Sequence, residues 1–532
     1  MRFEDMLGDH IKKIKLNKLE DKKGFAITIG VFDGLHLGHT SIIDELVNTA
    51  LINNLNSGVI TFENAFPQNL KNISSFLLTS DEKLNFFSLK GVDYSFILPF
   101  SEEIRSLSPE KFIELLVNTI PISCLCVGSN FFFGKNRSGD VNTLRELGEK
   151  YNFNLKIVPL EKEDSNIVSS SYIRNLLLEG KINIANKLLG YKYFINGIVE
   201  RGDNLGSKIG FPTVNIKYEK EKLIPKTGIY KGKVKVRRDI YNAAIYIGTR
   251  PTFGGKETRV EAYILDFNDH LYGEKVEIVL EDYIRSDQKF DSTDKLIAQI
   301  QKDLEVIRDL IKEESKVKII TIDGTAGSGK TTIAKFIVQK LDFDYIDSGA
   351  LYRAVGFIAK EKNLLREDEI VEFLSKNPIR FTFDKNTFRV FISDKELTSF
   401  IRTEEIGKYA SMIGKMLKVR EILTSSQREY LKNVKKGLVL EGRDSGTVVF
   451  PNANLKLFVN ANINVRAERR AKDLGNISID EVKKYIIERD KQDINRDIAP
   501  LRFPNQGYFI DNSDIGIEEV YDKILSLYLK AL

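Results

Sequence analysis

The sequence predicts three folded units, two of the α/β class and, between them, a small antiparallel β-barrel. Up to about residue 189, apolar strand-like runs alternate with helical stretches, which is typical of a parallel sheet covered by helices. From about residue 191 the pattern changes to short β-rich pieces separated by Gly, Pro and charged turns, which predicts the barrel. A charged helical segment then leads into a fresh apolar strand, and α/β alternation resumes. We therefore predict domains at 1–188, 189–314 and 315–532.

Each unit contributes its own predicted strands. The first has FAITIGVF, SGVITF, YSFILPF and CLCVG, and its helices include TSIIDELVNTALINN and SPEKFIELLVNTI. The barrel has FINGIVERG, GIYKGKVKVRR, AAIYIGTR, VEAYILDF and KVEIVLEDYI, followed by the helix STDKLIAQIQKDLEVIRDLIKEESK. The third unit has YIDSG, GLVLEG and NLKLFVN.

Bulk composition excludes several classes of protein. No apolar run reaches the roughly 20 residues that span a bilayer, and the first residues include acids, so we expect a cytoplasmic protein without a membrane partner. A net charge of +5 from 80 basic and 75 acidic residues is too balanced to indicate a nucleic-acid surface. Cys124 and Cys126 alternate along an apolar strand, and we predict that they fill the core rather than bind metal.

The first phosphate-binding signature is TIGVFDGLHLGH, directly after an apolar strand. At a helix N-terminus, His36 and His39 together with free backbone N–H groups can hold a triphosphate and stabilise charge that develops on the α-phosphate. Pyrophosphate would then leave. Gly30, Gly34 and Gly38 allow close backbone approach to ATP. The alternative is a capping or surface role for both histidines.

This region resembles the bacterial bifunctional riboflavin kinase/FMN adenylyltransferase family, also called FAD synthetase. GVFDGLHLGH, VGSNFFFGKNRSGD and VSSSYIR match family segments, and the resemblance runs from about residue 28 to 300. It implies a Rossmann-like nucleotidyltransferase domain in which Asp33, Ser170 and Arg174 bind ATP and Asn130 binds substrate. Arg174 as a helix surface charge is the alternative. The chain departs from the family at TFENAFPQN, where TFEPHP is common, and at Asn130, where Asp is frequent.

The predicted barrel contains GDNLGSKIGFPTVNI, which resembles the riboflavin kinase loop. Thr213 and Asn215 offer hard oxygen ligands suited to Mg²⁺, on one face of an extended segment. Phosphorylation of a primary alcohol needs a base, and Glu261 matches the base of the family. By the same resemblance Gly210 shapes the loop and Arg285 lies on the flavin side. An ordinary turn, with Glu261 as an exposed strand charge, is the alternative.

The second phosphate-binding signature, GTAGSGKT, fits the P-loop pattern, follows a strongly apolar strand and opens a predicted helix. Its backbone N–H groups can surround ATP phosphates, Lys330 adds positive charge, and the Thr331 hydroxyl can ligate Mg²⁺. The predicted nucleotide-binding residues are Gly324, Gly327, Ser328, Gly329, Lys330, Thr331 and Thr332.

Segments after the P-loop resemble cytidylate kinase, a P-loop nucleoside monophosphate kinase. They are DSGALYRA, YASMIGKMLKVR, EGRDSGTVVFP, RAERRAKDL and IIERDKQDINRD. The phosphate acceptor of such an enzyme needs no general base, so arginines should offset the repulsion between two polyanions. The resemblance implies lid residues Arg489 and Arg496. It also implies a CMP site formed by Ser348, Arg353, Ser411, Arg420, Arg443 and Asp444. Solvated helix faces are the alternative for single arginines.

Together the motifs predict a fused enzyme that makes FMN from riboflavin, FAD from FMN, and CDP or dCDP from CMP or dCMP. Each reaction would use ATP with Mg²⁺, and the partners would be these small molecules rather than nucleic acid. One alternative is a riboflavin kinase plus CMP kinase in which the altered TFENAFPQN segment has abolished FAD formation. Another is a nucleotide-sensing or nucleic-acid-binding regulator on enzyme folds.

Overall fold

The computed structural model describes residues 12–17, 19–62, 75–159, 162–163, 166–202, 205–252, 255–313, 317–384, 387–474 and 478–531. Within these ranges it contains the predicted α/β, barrel and α/β units in that order. The predicted boundary at 314/315 lies outside the described residues. The helix before it ends at Glu313, and the next strand begins at Lys318. No helix in the described ranges is long and apolar enough to cross a membrane.

The first unit is built on a sheet with the order β1-β4-β3-β2-β5-β6, in which only the β1–β4 pair is antiparallel. All four predicted strands are present, and Cys124 and Cys126 are buried on one of them, as predicted. Its strands are β1 Lys12–Lys15, β2 Phe25–Ile29, β3 Asn56–Phe62, β4 Tyr94–Leu98, β5 Ile122–Gly128, β6 Asn154–Val158, β7 Lys162–Glu163 and β8 Asn166–Ile167. Its helices are α1 Leu37–Asn53, α2 Ser80–Leu89, α3 Glu102–Arg105, α4 Pro109–Thr119, α5 Val141–Tyr151, α6 Ser170–Glu179 and α7 Ile182–Leu189.

The second unit is a closed six-stranded antiparallel barrel, with strand order β10-β13-β12-β11-β14-β9. Five strands match the predicted segments. The sixth, β10, begins within the GFPTVNI loop and closes the barrel between β9 and β13. Strands and helices are β9 Phe194–Glu200, α8 Leu205–Lys208, β10 Val214–Tyr218, β11 Gly228–Val236, β12 Asp239–Thr252, β13 Gly255–Ile264, β14 Lys275–Arg285 and α9 Thr293–Glu313.

The third unit has a parallel sheet with the order β16-β20-β15-β21-β22 and a separate antiparallel sheet, β17-β18-β19. The sequence pattern predicted the apolar strands but neither the small sheet nor β22. Strands are β15 Lys318–Gly324, β16 Asp344–Asp347, β17 Ile379–Asp384, β18 Thr387–Ile392, β19 Lys395–Glu396, β20 Gly437–Glu441, β21 Leu455–Asn460 and β22 Tyr508–Asp511. Helices are α10 Lys330–Leu341, α11 Ser348–Glu361, α12 Glu367–Lys376, α13 Glu404–Ile413, α14 Leu417–Tyr430, α15 Ile463–Leu474, α16 Ile479–Asn495 and α17 Ile517–Ala531.

The three units share buried surfaces. One cluster of apolar side chains extends through all of them and includes Ile43, Tyr230 and Tyr508, which belong to the first, second and third units. The barrel docks on the first unit through the buried ion pair of Lys222 with Glu82, whose Nζ and Oε2 lie 2.7 Å apart. Burial of apolar surface between units is favourable, so the chain is not a string of independent domains.

The third unit contacts helix α1 of the first unit directly, at a surface that we call the 503–507 junction. The Asn48 side chain exchanges two hydrogen bonds with the Phe503 backbone, at 3.1 and 2.9 Å. The backbone N–H of Gln506 donates to Asp44 at 2.8 Å, and Lys90 donates to the Gly507 carbonyl at 3.0 Å. Lys90 also lies 3.9 Å from Asp44, and both side chains are buried. The junction therefore encloses a charge pair.

Candidate active sites

The paired histidines lie where β2 leads into α1. His36 immediately precedes this helix, and its ring stacks on that of His39, with centroids 3.7 Å apart. Burial lowers the pKa of His36 to about 4 and holds the pKa of His39 well below its usual value, to which the neighbouring His36 and Lys83 contribute. Both rings are therefore neutral near pH 7. Among the described residues, neither Nδ1 atom has a hydrogen-bond partner.

Ser170 and Arg174 both contact Asp33, which lies three residues before His36. The Arg174 guanidinium donates to Asp33 at 2.7 Å and to the Ser75 carbonyl at 2.5 Å, and it is 5% exposed. The Ser170 hydroxyl donates to the Asp33 carbonyl at 2.7 Å. Burial raises the pKa of Asp33, although Arg174 opposes this effect. The alternative of a surface charge for Arg174 is thus wrong, and its direct role in phosphate binding stays a prediction.

The three glycines and Asn130 frame the same edge of the sheet. Gly34 has a φ of +78°, and a Cβ there would lie 2.5 Å from Leu77 Cδ1, so a side chain does not fit. Gly30 directly follows β2, and Gly38 lies in the first turn of α1. Asn130 is exposed in the turn after β5, which pairs in parallel with β2, so both loops lie at the carboxyl edge of the sheet. Of the departure segment TFENAFPQN, Thr61 and Phe62 end β3, and residues 63–69 lie outside the described residues.

In the barrel, the three oxygen-bearing residues that the sequence singled out lie together. Thr213 donates its hydroxyl hydrogen bond to Glu261 at 3.2 Å. Asn215 on β10 is paired directly with Glu261 on β13. A Cβ at Gly202 would lie 2.0 Å from the Asn215 amide nitrogen, so this side chain packs on the backbone of the preceding loop. Gly210 has a φ of +88°, a backbone conformation that favours glycine.

Arg285 has a different environment from the one its predicted role suggests. Its guanidinium binds the Asp303 carboxylate on α9 through Nε at 2.9 Å and Nη2 at 2.8 Å. This paired geometry joins the last barrel strand to the helix that follows it. In the structure Arg285 links β14 to α9, and its role on the flavin side remains a prediction.

The P-loop joins β15 to α10 with the conformations that its glycines allow. Gly324, Gly327 and Gly329 have φ values of +145°, +72° and +89°. A Cβ at Gly324 would lie 1.9 Å from the Val459 carbonyl oxygen on the adjacent strand. The Ser328 hydroxyl donates to the Thr325 carbonyl at 3.0 Å, which closes the loop, and Thr332 is exposed in the first helical turn. Lys330 donates to the Thr325 carbonyl at 2.6 Å, and burial beside Arg443 lowers its pKa strongly.

A buried carboxylate that the sequence reasoning missed lies beside the P-loop. The Thr331 hydroxyl donates to Glu441 at 2.9 Å, and the Tyr345 hydroxyl donates to the same carboxylate. Burial raises the pKa of Glu441 to about 7, with a contribution from Asp347. In the described part of the chain, the second oxygen of Glu441 has no hydrogen-bond partner. The sequence could have indicated Glu441, because this acidic residue ends the predicted apolar strand GLVLEG.

The predicted acceptor site contains a buried Arg420–Asp444 ion pair, in which Arg420 also donates to the Gly414 carbonyl at 3.1 Å. Arg353 donates to the backbone carbonyls of Ile401 and Thr403 at 3.2 and 3.0 Å. Ser348 is buried in the first turn of α11. The Ser411 hydroxyl donates to the Gly407 carbonyl one turn earlier, so it is satisfied within its own helix.

The two lid arginines and Arg443 converge near the P-loop. Arg443 forms an ion pair with Asp493 at 3.0 Å and donates to the Gly324 carbonyl. Burial, together with the positive charge of Arg443, lowers the pKa of Arg489. Arg496 donates to the Ala499 carbonyl at 2.6 Å and lies 3.9 Å from Asp444. These guanidiniums are therefore not scattered on solvated helix faces.

The side chains of two residues outside the P-loop also bind its backbone, and the sequence motifs did not predict these contacts. Asp490 accepts from the Ala326 N–H at 2.9 Å and pairs with Arg466. Asn512, which follows β22, donates to the Ser328 carbonyl at 2.8 Å. Arg466 lies in RAERRAKDL and Asp490 in IIERDKQDINRD, two segments that resemble cytidylate kinase. The sequence therefore indicated both segments but not the contacts of these two residues with the P-loop.

Three family models match the chain in the order of its units: FAD synthetase over residues 18–172, riboflavin kinase over 189–311 and cytidylate kinase over 320–530. A bifunctional riboflavin kinase/FMN adenylyltransferase from Buchnera aphidicola is 36% identical over 56% of this chain and 96% of its own length. A cytidylate kinase from Thermosipho melanesiensis is 43% identical over 39% of this chain and 95% of its own length. The chain belongs to both families.

The chain is also similar to a solved structure over about half of its length. A crystal structure named as a macrolide-efflux protein from Streptococcus pneumoniae is 29% identical, with a TM-score of 0.50, and covers 55% of this chain and 97% of that one. The three family models confirm the predicted resemblance to FAD synthetase and cytidylate kinase, and the closed barrel and the parallel sheets confirm the predicted fold class.

Proposed function

We propose that this chain catalyses three ATP-dependent transfers: riboflavin to FMN, FMN to FAD, and CMP or dCMP to the corresponding diphosphate. The observation that carries the proposal is that three different family models match in order along the chain, and each match contains one of the predicted sites: the paired histidines, the GFPTVNI loop with Glu261, or the P-loop. The alternative in which FAD formation is lost is disfavoured, because the FAD synthetase model covers the paired histidines. A regulator without turnover has no supporting observation.

Adenylyl transfer joins a phosphate oxygen of FMN to the α-phosphorus of ATP, while the bond from that phosphorus to the bridging oxygen breaks and pyrophosphate leaves. Burial keeps His36 and His39 neutral near pH 7 in the ligand-free protein, and a neutral imidazole can donate one N–H hydrogen bond to a phosphate oxygen. Their first-turn position adds backbone N–H groups of α1 to the same site. The Asp33–Arg174 pair holds the glycine turn against α6, so it positions the histidines.

Riboflavin phosphorylation transfers the γ-phosphoryl group of ATP to a primary hydroxyl. Glu261 is the residue that would accept the hydroxyl proton, and Thr213 at 3.2 Å orients its carboxylate. Asn215 adds an amide oxygen on the neighbouring strand. The set of hydroxyl, amide and carboxylate oxygens fits Mg²⁺, which favours hard oxygen ligands.

CMP phosphorylation transfers the same group to a phosphate anion, which is already nucleophilic. Lys330, Arg443, Arg489 and Arg496 would neutralise the two phosphate chains as they approach. Thr331 and Glu441 would hold Mg²⁺, since the buried carboxylate offers an oxygen without a hydrogen-bond partner among the described residues. When bound, Mg²⁺ supplies positive charge beside the transferred phosphoryl group. The absence of nucleic-acid or membrane partners and a cytoplasmic location remain predictions.

The test is incubation of the purified chain with ATP and Mg²⁺, separately with riboflavin, FMN, CMP, dCMP and UMP, followed by separation of the products. We expect FMN from riboflavin, FAD from FMN, and diphosphates from CMP and dCMP. FMN without any FAD would refute the adenylyltransferase part and restore the alternative of lost FAD formation. Turnover of UMP in preference to CMP would refute the assignment of the acceptor.

A further inference from the structure

Of the described residues already assigned to the histidine site, His36, His39 and Arg174 offer no uncompensated positive charge to the substrates. Both imidazoles are neutral, and the Arg174 guanidinium is occupied by Asp33 and the Ser75 carbonyl. Adenylyl transfer nevertheless brings the phosphate of FMN against the triphosphate of ATP. Two polyanions repel each other strongly in a site shielded from water, so a nearby positive charge is needed.

Lys83 lies at this point. It projects from α2, and its ammonium donates to the Val31 carbonyl at 3.3 Å and to the Thr61 hydroxyl at 3.2 Å. Val31 belongs to the turn that precedes the histidines, and Thr61 lies on the neighbouring strand β3, next to the departure segment. Lys83 therefore joins the turn before the histidines to the end of β3, at the carboxyl edge of the sheet.

Lys83 borders a small cavity, which is also lined by the carboxylate-bearing Asp33 and by Val31, Phe62, Phe76, Leu78 and Ser80. Among the described residues, both hydrogen-bond partners of the ammonium are neutral oxygens, and the nearby Asp33 carboxylate interacts with it electrostatically without forming an ion pair. Its positive charge is thus not cancelled by direct contact, in contrast to that of Arg174. A half-buried ammonium whose hydrogen-bond partners are neutral has lost part of its hydration, and a bound anion would compensate this loss.

We infer that Lys83 binds a phosphate group of the adenylyl-transfer reactants and is a catalytic residue of FAD formation. This inference rests on the proposed adenylyltransferase function. Two sources of phosphate are compatible with its position, FMN and the ATP triphosphate. The side chain supplies charge and donates hydrogen bonds, while the bond changes remain those of adenylyl transfer.

The same chain provides internal controls for the test. We expect Lys83→Met to lower kcat/KM for FAD formation from FMN by about 10²- to 10³-fold, as loss of one charge-stabilising donor does elsewhere. Lys83→Arg should recover most of this loss because it restores the charge. Formation of FMN and of CDP by both variants should match the unmodified chain, which would show that the fold is intact. Lys150→Met, at an exposed lysine of the same unit, is the matched control.

Saturation curves identify the phosphate that Lys83 binds. A raised KM for FMN assigns Lys83 to the flavin phosphate, and a raised KM for ATP with weaker inhibition by inorganic pyrophosphate assigns it to the triphosphate. Each result supports the inference. If Lys83→Met makes FAD with unchanged kcat and KM values, or if Lys83→Arg is no better than Lys83→Met, the inference is wrong. If the unmodified chain makes no FAD, the proposed function itself fails, which is a separate outcome.

Discussion

The buried charge pair of the 503–507 junction makes a quantitative prediction. Lys90 loses two interactions when it is replaced by methionine: its hydrogen bond to the Gly507 carbonyl at 3.0 Å and its attraction to Asp44 at 3.9 Å. Removal of one partner from a buried ion pair costs about 3 to 5 kcal/mol, because the other charge is left uncompensated. Burial raises the pKa of Asp44, and the positive charge of Lys456 remains near this carboxyl after Lys90 is removed, so we expect the lower end of the range, about 3 kcal/mol.

Hydrogen exchange followed by mass spectrometry measures this cost locally. The Gln506 N–H donates to Asp44, so a peptide covering 503–507 reports opening of the junction. A loss of about 3 kcal/mol corresponds to roughly 150-fold faster exchange in Lys90→Met. The double variant Asp44→Asn/Lys90→Met carries no charge and should exchange more slowly than Lys90→Met alone. Lys432→Met, which breaks an exposed pair with Glu429, is the control and should leave this peptide unchanged. Equal exchange in Lys90→Met and the control would refute the reasoning.

Three further predictions concern the individual active sites. Gly324→Ala places a Cβ 1.9 Å from the Val459 carbonyl, so CMP phosphorylation should fall by about 100-fold or more while FMN formation is kept; comparable losses in both assays would contradict this. Glu261→Gln should slow FMN formation by about 10²- to 10⁴-fold but leave FAD formation from added FMN unchanged, and an active variant would exclude Glu261 as the base. The raised pKa of Glu441, about 7, means that its carboxyl is protonated below that pH and ionised above it. Because Mg²⁺ would bind the ionised carboxylate in competition with the proton, the Mg²⁺ concentration that gives half-maximal CMP phosphorylation should rise as the pH falls below 7, and Glu441→Gln should remove this dependence; a value that does not change with pH in the unmodified chain would refute it.

Much of the architecture could be predicted because local pattern and tertiary structure agree. The alternation of apolar strands and helices predicted both parallel sheets, and turn-bounded β-rich segments predicted five of the six barrel strands. β10 was missed because its residues were interpreted as a binding loop, although they also form a barrel strand. β22 was missed because YFID is only four residues long, and short apolar runs carry little periodicity.

The candidate sites, too, could be predicted only in part from the sequence. Glycine-rich loops could be located because their backbone geometry demands particular residues, and Thr213 with Glu261 followed from the family pattern. Lys90 is buried at the 503–507 junction, and Lys530 of the third unit is buried where it pairs with Glu277 of the barrel at 2.9 Å, whereas hydropathy alone predicts lysines at the surface. The inward turn of Arg174 toward Asp33 depends on a contact 141 residues apart along the chain. Sequence spacing cannot supply such partners.

The central claim is that one polypeptide carries three separate phosphate-transfer sites. The most direct test is a single reaction of the intact chain with riboflavin, CMP, ATP and Mg²⁺, in which FMN, FAD and CDP are separated and quantified over time. We expect FMN to appear first, FAD to accumulate from it, and CDP to form at a rate that does not depend on added riboflavin. A chain that forms CDP but no flavin nucleotide, or flavin nucleotides but no CDP, would contradict the account.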